Sequence, residues 1–522
     1  MILKMKLSEI KKWIVLESIE YLPWVFMAYI SGIIISFNWN VNLYFVMGLI
    51  IISGIIYLKK RNNLAISWAS LVCLFFLSGI LNIKFHMYIN QHPVLDKTLY
   101  QTPIQATVQE NKFLIEKQII TLNQIHWENP DLKMPQKIRL YFKNDRPILK
   151  AGDKIKAIVS VFPPNNTYSP EFYRQLWFEK IGATGVIKEI KSVQKNPIDK
   201  ASFTKFRQSI HTHLFDILPR YHAEVIAPLI TGEQQLIKKE TYQMYRRAGI
   251  AHVLSVSGFH MALLSGFLFF LIRSICALFP CISLYFNTKK IAALLAFIGT
   301  FLYLGISGFQ IPAIRAFLMI TLVFLGIFVN RTVISMRSLI LIAFSILLIS
   351  PEKIFSISFQ LSFMAVCILV FICNKIQNEP WSKIKKSIIG FFVLNIFIFL
   401  GLTPFILYHF HQLMPYSILG NMLFSSLFTF PIMPLLFLGC LMMPFGLDKP
   451  FFQSAGIGLD IVHWGIEKIN NLPYSEINFN NFSAVSLSFI SFGIILFCLM
   501  KTPLKWINLI LIGIGFMGMF FP

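Results

Sequence analysis

Long apolar runs separated by short polar loops dominate the chain. Three of them occupy residues 21–37, 42–58 and 64–82, and a second block follows residue 250. A helix needs about 20 mostly apolar residues to cross a bilayer, so we expect a polytopic α-helical membrane protein. Within this second block, the run 417–447 is too long for a single span, and Pro431 and Pro434 should break it. The candidate spans of the second block are 251–279, 291–307, 311–329, 338–350, 354–373, 387–409, 417–447, 484–499 and 505–521.

The pattern changes between the two blocks. Residues 137–143 alternate between polar and apolar, and residues 155–161 repeat that alternation after a turn. Several short strands within residues 83–205 predict an inserted small β-barrel, with an OB-like fold as the leading candidate. OB-folds often bind single strands through aromatic and basic side chains. Arg139, Tyr141 and Lys143 are therefore candidate contacts for a single-stranded nucleic acid, although a domain that merely packs on the membrane part fits the pattern equally well.

Two further segments are helical in pattern. Residues 206–250 form a polar helical approach to the second block, and residues 451–470 gather Gln453, Asp460, His463 and Glu467 on one face, as in an interfacial amphipathic helix. His211, His213 and Asp216 are metal-binding residue types, but positions i and i+2 point to different sides of a helix. We therefore predict no metal site there, and no cofactor.

Composition and charge place the chain at a membrane. Hydrophobic residues make up 56% and charged residues 14%, with a net charge of +23. The basic balance fits the positive-inside rule as well as a polyanionic partner or an anionic lipid surface. Basic residues near the N-terminus and at 59–61 predict a cytoplasmic N-terminus, which makes the β-domain extracytoplasmic. The seven cysteines show no CxxC spacing, so they predict neither a disulfide framework nor a metal site.

Residues 249–266 carry polar side chains at membrane depth. His252, Ser255, Ser257 and His260 stand in an otherwise apolar stretch. Such groups usually face a cavity, a partner or a path. Three interpretations remain open: a packing helix, the polar lining of a conduction path, and a Ser257–His260 nucleophile pair. The third lacks an acidic residue to orient the histidine.

Other polar interruptions extend this set. Gly308 allows a chain break, Pro312 suits the first turn of a new helix, and Arg315 then lies where a phosphate would be favoured. Interhelical hydrogen bonding is an equally simple role for the uncharged members. The candidate path residues are His252, Ser255, Ser257, His260, Gln310, Arg315, Gln360, Ser362 and Asn421.

Several of these stretches together resemble one family. Residues 247–260, RAGIAHVLSVSGFH, are similar to the "GxxHLLAISGLH" signature of the ComEC family of competence proteins. Residues 308–316 resemble that family's "G…P…RA" segment, residues 359–363 its "FQLS" segment and residues 229–233 its "LLxGe" segment. The resemblance implies an inner-membrane channel that passes single-stranded DNA into the cytoplasm during natural transformation. Its implied partners are single-stranded DNA, membrane lipids, a cytoplasmic motor and DNA-receptor proteins.

The resemblance also sets expectations about chemistry. Many family members carry a C-terminal metallo-β-lactamase-like domain, and the given sequence ends at Pro522 directly after an apolar run. We therefore expect a short form that is not an enzyme and has no catalytic residue. The domains would be 1–82, 83–205, 206–250 and 251–522. The alternatives are an intramembrane hydrolase that uses Ser257 and His260, with or without a metal at His252 and His260, and a transporter of a smaller anionic solute.

Overall fold

The structure is a computed structural model, and its described residues cover most of the chain in segments. All structural statements below concern these residues. The segments are 21–38, 42–59, 63–113, 117–127, 135–143, 149, 152–164, 170–195, 202–233, 237–254, 256, 258–279, 284–309, 311–329, 335–479, 482–500 and 503–518.

Most of the described chain is helical. Short 3₁₀ helices cover Ala251–Leu254, Pro351–Phe355 and Pro503–Ile507. The longer helices, in chain order, are α1 Tyr21–Asn38, α2 Leu43–Lys59, α3 Leu64–Ile89, α4 Pro170–Phe178, α5 Ser202–Ile217, α6 Arg220–Thr231, α7 Lys239–Arg247, α8 Gly258–Leu278, α9 Thr288–Ile306, α10 Ile311–Phe328, α11 Met336–Ile349, α12 Ile357–Gln377, α13 Lys383–Phe410, α14 Ser417–Phe445, α15 Lys449–Asn470, α16 Ala484–Leu499 and α17 Asn508–Met517.

The strands lie mainly between α3 and α5. Two further strands have only two residues each. The strands are β1 Leu99–Phe113, β2 Lys117–Trp127, β3 Ile138–Lys143, β4 Lys154–Phe162, β5 Ala183–Gln194, β6 Gln412–Leu413 and β7 Ile477–Asn478.

Six helices in the described part of the chain are long and apolar enough to cross a membrane. These helices agree with the polytopic architecture that the apolar runs predict. Helix α3 ends at Ile89, beyond the predicted limit at residue 82. The six segments are Ile66–Ile89, Gly258–Leu278, Thr288–Ile306, Ile357–Gln377, Lys383–Phe410 and Ser417–Phe445.

The chain divides into two compact units. The first contains Met1–Gln91, Ile334–Leu413 and Asn478–Pro522, and the second contains His92–Val333 and Met414–Ile477. In the first unit, Asn82 on α3 donates hydrogen bonds to the Tyr29 hydroxyl at 2.6 Å and to the Leu347 carbonyl at 3.0 Å. These bonds tie α1, α3 and α11 together by polar contacts that apolar packing alone would not specify.

Strands β1 to β5 form a closed barrel in the order β1-β2-β3-β5-β4. Strands β3 and β5 are parallel, and the other neighbouring pairs are antiparallel. The alternation predicted for residues 137–143 and 155–161 is present, because apolar side chains such as Leu140, Ile155 and Val159 fill the interior at 0% exposure. Closure leaves the barrel without free sheet edges.

The helical part of the second unit has a large apolar core that is shared by α5 to α10, α14 and α15. A smaller apolar cluster joins α8, α9 and α10 around Phe324. The prediction that Pro431 and Pro434 break the run 417–447 is wrong. Helix α14 continues through both prolines because π-helical turns occupy Asn421–Ser425 and Phe428–Ile432. A proline removes one backbone donor, and a π-turn shifts the hydrogen bonding locally without ending the helix.

Candidate functional site

The loop between α7 and α8 lies directly against the start of α14. Gly249 has φ +75°, and a Cβ on it would lie 2.0 Å from the Cβ of Ser417. A Cβ on Gly420 would lie 2.1 Å from the carbonyl oxygen of Ala248. Glycine at these two positions therefore permits the contact between the loop and α14. We call residues 248–260 the signature loop.

Three contacts hold the surroundings of the signature loop. Asn470 at the end of α15 donates to the Met244 carbonyl at 2.9 Å. Arg247 forms an ion pair with Glu476 at 3.5 Å. The Tyr416 hydroxyl donates to the Pro473 carbonyl at 2.9 Å. Residues near both ends of the segment 414–477 therefore hold the chain that leads into the signature loop.

The two histidines of the signature loop lie in different elements. His252 is in the 3₁₀ helix and is exposed. His260 is in the first turn of α8 and is fully buried. The helix of candidate span 251–279 therefore starts at Gly258, later than predicted. Ser255 and Ser257 lie outside the described residues.

The break predicted near Gly308 is confirmed. Helix α9 ends at Ile306 and α10 begins at Ile311, with φ +80° at Gly308 and φ +52° at Phe309. Arg315 lies in the first turns of α10, as expected from Pro312. Its side chain is outside the described part of the structure, as is Gln310.

Gln360 and Ser362 lie on α12 in the first unit, whereas the signature loop lies in the second. Gln360 donates to the Ile354 carbonyl at 2.8 Å and accepts a hydrogen bond from His409 Nε2 at 2.8 Å. Ser362 is exposed. Gln360 is thus part of a local polar pair with His409.

Asn421 belongs to a longer polar stripe along α14. Its side chain donates to the Ser417 carbonyl at 2.8 Å and accepts from Ser425 Oγ at 3.2 Å. Thr429 Oγ1 donates to the Ser425 carbonyl at 2.6 Å. Ser417, Asn421, Ser425 and Thr429 recur every four residues, so they share one helix face. The sequence motifs singled out only Asn421, although this spacing could have revealed the others.

The position of Arg139 in the β-barrel does not fit its expected role as a DNA contact. The Arg139 side chain is buried and forms an ion pair with Glu179, so its guanidinium is not presented at the surface. Tyr141 is half-buried, and the side chain of Lys143 is outside the described part of the structure. Arg139 is therefore a structural residue of the barrel wall.

A different face of the barrel presents positive charge. On β5 the residues that contact the barrel core, Ile187, Ile190 and Val193, are spaced by three positions, because the pairing with β4 has two register shifts. This spacing leaves four lysines exposed, Lys188 and Lys191 of β5 and Lys154 and Lys156 of the paired strand β4. We call these four residues the lysine strip. Glu189 is exposed as well. Because of these register shifts, a simple two-residue alternation does not predict which lysines of β5 are exposed.

Histidines that looked like metal ligands have other partners. His213 donates to Asp448 at 2.7 Å and His222 donates to Asp460 at 2.7 Å, while His211 packs against Phe215. The Tyr221 hydroxyl lies 2.6 Å from His463 Nδ1, and burial raises the pKa of Tyr221 to about 12. These contacts join α5 and α6 to α15. No group of three or more His, Cys, Asp and Glu side chains suited to a metal occurs among the described residues.

Helix α15 partly follows its expected amphipathic pattern. Val462, Ile466 and Ile469 are buried in the core of the second unit, but Ile457 and Ile461 are exposed on the opposite side. The apolar residues therefore divide between two faces, because the core covers only one of them.

Several long stretches of the chain contain no Asp or Glu, among them residues 21–95 and 380–447. The longest is residues 241–351, which contain eight Arg and Lys. This acid-free stretch includes the signature loop and the α9–α10 break. The ion pairs and histidine–carboxylate contacts of the second unit use acids that lie before or after it, such as Glu224, Asp448 and Asp460.

Comparisons with known proteins agree with this architecture. The chain is 25% identical to ComE operon protein 3 of Bacillus subtilis over 274 residues, which are 52% of this chain and 33% of that protein. It is 25% identical to Recombination protein 2 of Haemophilus influenzae over 273 residues, 51% of this chain and 34% of that protein. It is 27% identical to the uncharacterized protein YcaI of Escherichia coli over 261 residues, 49% and 34% of the two chains.

The matched segment covers about a third of the length of each of these relatives. No solved structure matches the chain. The family model described as "Competence protein" matches residues 229–504, which include the signature loop, the α9–α10 break, Gln360 and α14. This match covers more than half of the chain, so the chain is a multi-pass membrane protein that belongs to the ComEC-type competence protein family.

Proposed function

We propose that the chain is a conduit that passes single-stranded DNA into the cytoplasm through the inner membrane during natural transformation. The observation that carries this proposal is the acid-free stretch 241–351 with its eight Arg and Lys. Each nucleotide brings a negative phosphate, and a carboxylate along the path would repel it. The positive-inside rule accounts for basic loops but depends little on Asp and Glu, so it does not explain the missing acids.

The path would be lined by neutral donors and a few cations. Hydroxyl, imidazole and amide groups replace water around the strand, and arginine binds phosphate through paired N–H groups. His260 would stand behind the wall because it is fully buried, and the polar stripe of α14 would extend the lining. The proposed path residues, with His260 as a supporting residue behind the lining, are His252, Ser255, Ser257, His260, Gln310, Arg315, Gln360, Ser362 and Asn421.

The barrel would be an OB-like, extracytoplasmic domain, with the N-terminus of the chain in the cytoplasm. Its strand order and its single parallel pair, β3 with β5, support the OB-like assignment. The lysine strip, rather than Arg139, would meet the phosphates of an incoming strand. The energy for transport would come from a cytoplasmic motor, since the sequence contains no Gly-x-x-x-x-Gly-Lys-Ser/Thr loop, and DNA-receptor proteins would deliver the strand.

Transformation of the organism that carries this chain tests the proposal. Deleting the gene should abolish transformation, and Arg315→Ala should do the same while the protein still inserts into the membrane. Arg273→Ala is the matched control, because Arg273 is an exposed arginine on α8 within the same acid-free stretch. Normal transformation in the deletion strain would overturn the function. Normal transformation in Arg315→Ala alone would overturn only the role of that residue.

A further inference from the structure

Arg207 on α5 lies against the chain break between α9 and α10. Its Nη1 atom is 2.9 Å, and its Cζ atom 3.7 Å, from the position that a Cβ on Gly308 would occupy. The guanidinium therefore fills the space where any other residue at position 308 would place its side chain. The sequence motifs did not single out Arg207, because α5 is far from the break along the chain.

Two observations favour glycine at position 308. Its φ of +80° lies in the left-handed region that favours glycine. A Cβ at this position would also meet the Arg207 guanidinium, which would then have to move. Phe309 follows with φ +52°, so the chain turns sharply here, and the turn and the arginine form one arrangement.

Arg207 brings a fixed positive charge to the acid-free stretch from outside it. The break itself contains no Asp or Glu, and the nearest acids along the chain are Glu240 and Glu352. A guanidinium is planar and carries five donors. It can lie flat on the backbone of a glycine and still offer an N–H edge to another group, which the ammonium of a lysine cannot do in the same geometry.

We propose that Arg207 is a second phosphate-contacting residue of the DNA path, placed beside the α9–α10 break by the open space at Gly308. This inference rests on the proposed function and deepens it. It assigns the polar helix α5 a direct part in the path, which would otherwise be lined only by membrane helices. The competing role is purely structural, in which Arg207 only stabilises the carbonyl end of α9.

Binding of a labelled single-stranded oligonucleotide to the full chain in lipid nanodiscs, measured at several salt concentrations, tests the inference. Arg207→Gln should weaken binding about tenfold and lower the slope of log affinity against log salt by roughly 0.7, the value of one phosphate contact on a single strand. Arg207→Lys should keep the slope but lose part of the affinity. Gly308→Ala should displace the arginine and resemble Arg207→Gln.

Arg220→Gln is the matched control, because it removes the same charge from an exposed arginine on α6. If Arg207→Gln lowers thermal stability but binds DNA with the slope of Arg220→Gln, Arg207 has only the structural role and the inference is overturned. If the wild-type chain does not bind the oligonucleotide and the deletion strain transforms normally, the proposed function fails as well. Wild-type binding with an unaltered Arg207→Gln variant overturns this inference alone.

Discussion

His222 Nε2 lies 2.7 Å from Asp460 Oδ1, which joins α6 to α15 across 238 positions of the sequence. Tyr221 and His463 form a second contact between the same two helices. His213 of α5 contacts Asp448, which lies directly before α15. Polar contacts of this kind specify how two helices are aligned, because each one requires a matched donor and acceptor. They hold α15 while its last residue, Asn470, bonds to Met244 just before the signature loop.

The two aspartates of this interface should differ in their effect on stability. The Asp448 side chain is 3% exposed, whereas that of Asp460 is 59% exposed. Asp448→Ala removes the acceptor of His213, whose side chain is 41% exposed, so water can replace the lost acceptor and the cost should be below about 1 kcal/mol. Asp460→Ala leaves His222, whose side chain is only 14% exposed, without its acceptor and should cost about 1–3 kcal/mol. Apparent melting midpoints of the detergent-solubilised variants measure both, and equal midpoints would contradict the assignment.

Gly249→Ala should disrupt the signature loop. The new methyl group would overlap Ser417, and the backbone would be held at φ +75°. Gly446→Ala is a matched control, since Gly446 has φ +68° but nothing within 4 Å of its Cβ position. Gly446→Ala should lower the free energy of unfolding only by the cost of a left-handed backbone at a residue with a Cβ, about 1–2 kcal/mol.

Gly249→Ala should cost clearly more and should expose the loop to proteolysis. Thermal midpoints and limited proteolysis of the two variants, compared side by side, check this expectation. Equal behaviour of the two alanine variants would show that the loop can move away from α14.

The Arg139–Glu179 pair should contribute to stability and not to binding. Arg139→Ala leaves Glu179 without its arginine partner, and because the Glu179 side chain is 32% exposed the cost should be about 1–3 kcal/mol. Arg139→Met, which replaces the charge by an apolar chain of similar length, should be less damaging when combined with Glu179→Gln. Thermal unfolding of the full chain ranks these variants by stability. Weakened oligonucleotide binding in a folded double variant would restore Arg139 as a DNA contact.

The lysine strip should show the opposite behaviour. Replacing Lys156 and Lys191 by Gln should leave the melting midpoint unchanged, because both side chains are exposed. It should lower the slope of log affinity for single-stranded DNA against log salt concentration. The expected change is roughly 0.7 for each phosphate that the strip no longer binds. Lys97→Gln combined with Lys137→Gln is a control of equal charge on other parts of the barrel. The same slope in both double variants would show a net-charge effect and no defined surface.

The hydrophobic pattern by itself determined most of the architecture. The apolar runs predicted the spans because each helix must satisfy its own backbone within lipid. The alternation at residues 137–143 and 155–161 predicted the barrel strands, because side chains of a strand point to opposite faces in turn. The order of short motifs indicated the family, and Gly308 with Pro312 predicted the chain break. All of these features are local along the chain.

Only the tertiary structure decided which polar residues have partners inside the protein. It assigned Arg139 to Glu179, and His213 and His222 to aspartates of the α15 segment, and it brought Arg207 against Gly308, because such contacts join residues far apart in sequence. It also showed that π-turns carry α14 through Pro431 and Pro434, since packing along a whole helix can outweigh a local breaking signal. Shifts in strand register decided which lysines face outward. Local sequence patterns carry no information on these distant partners, and the fold supplies them by bringing the elements together.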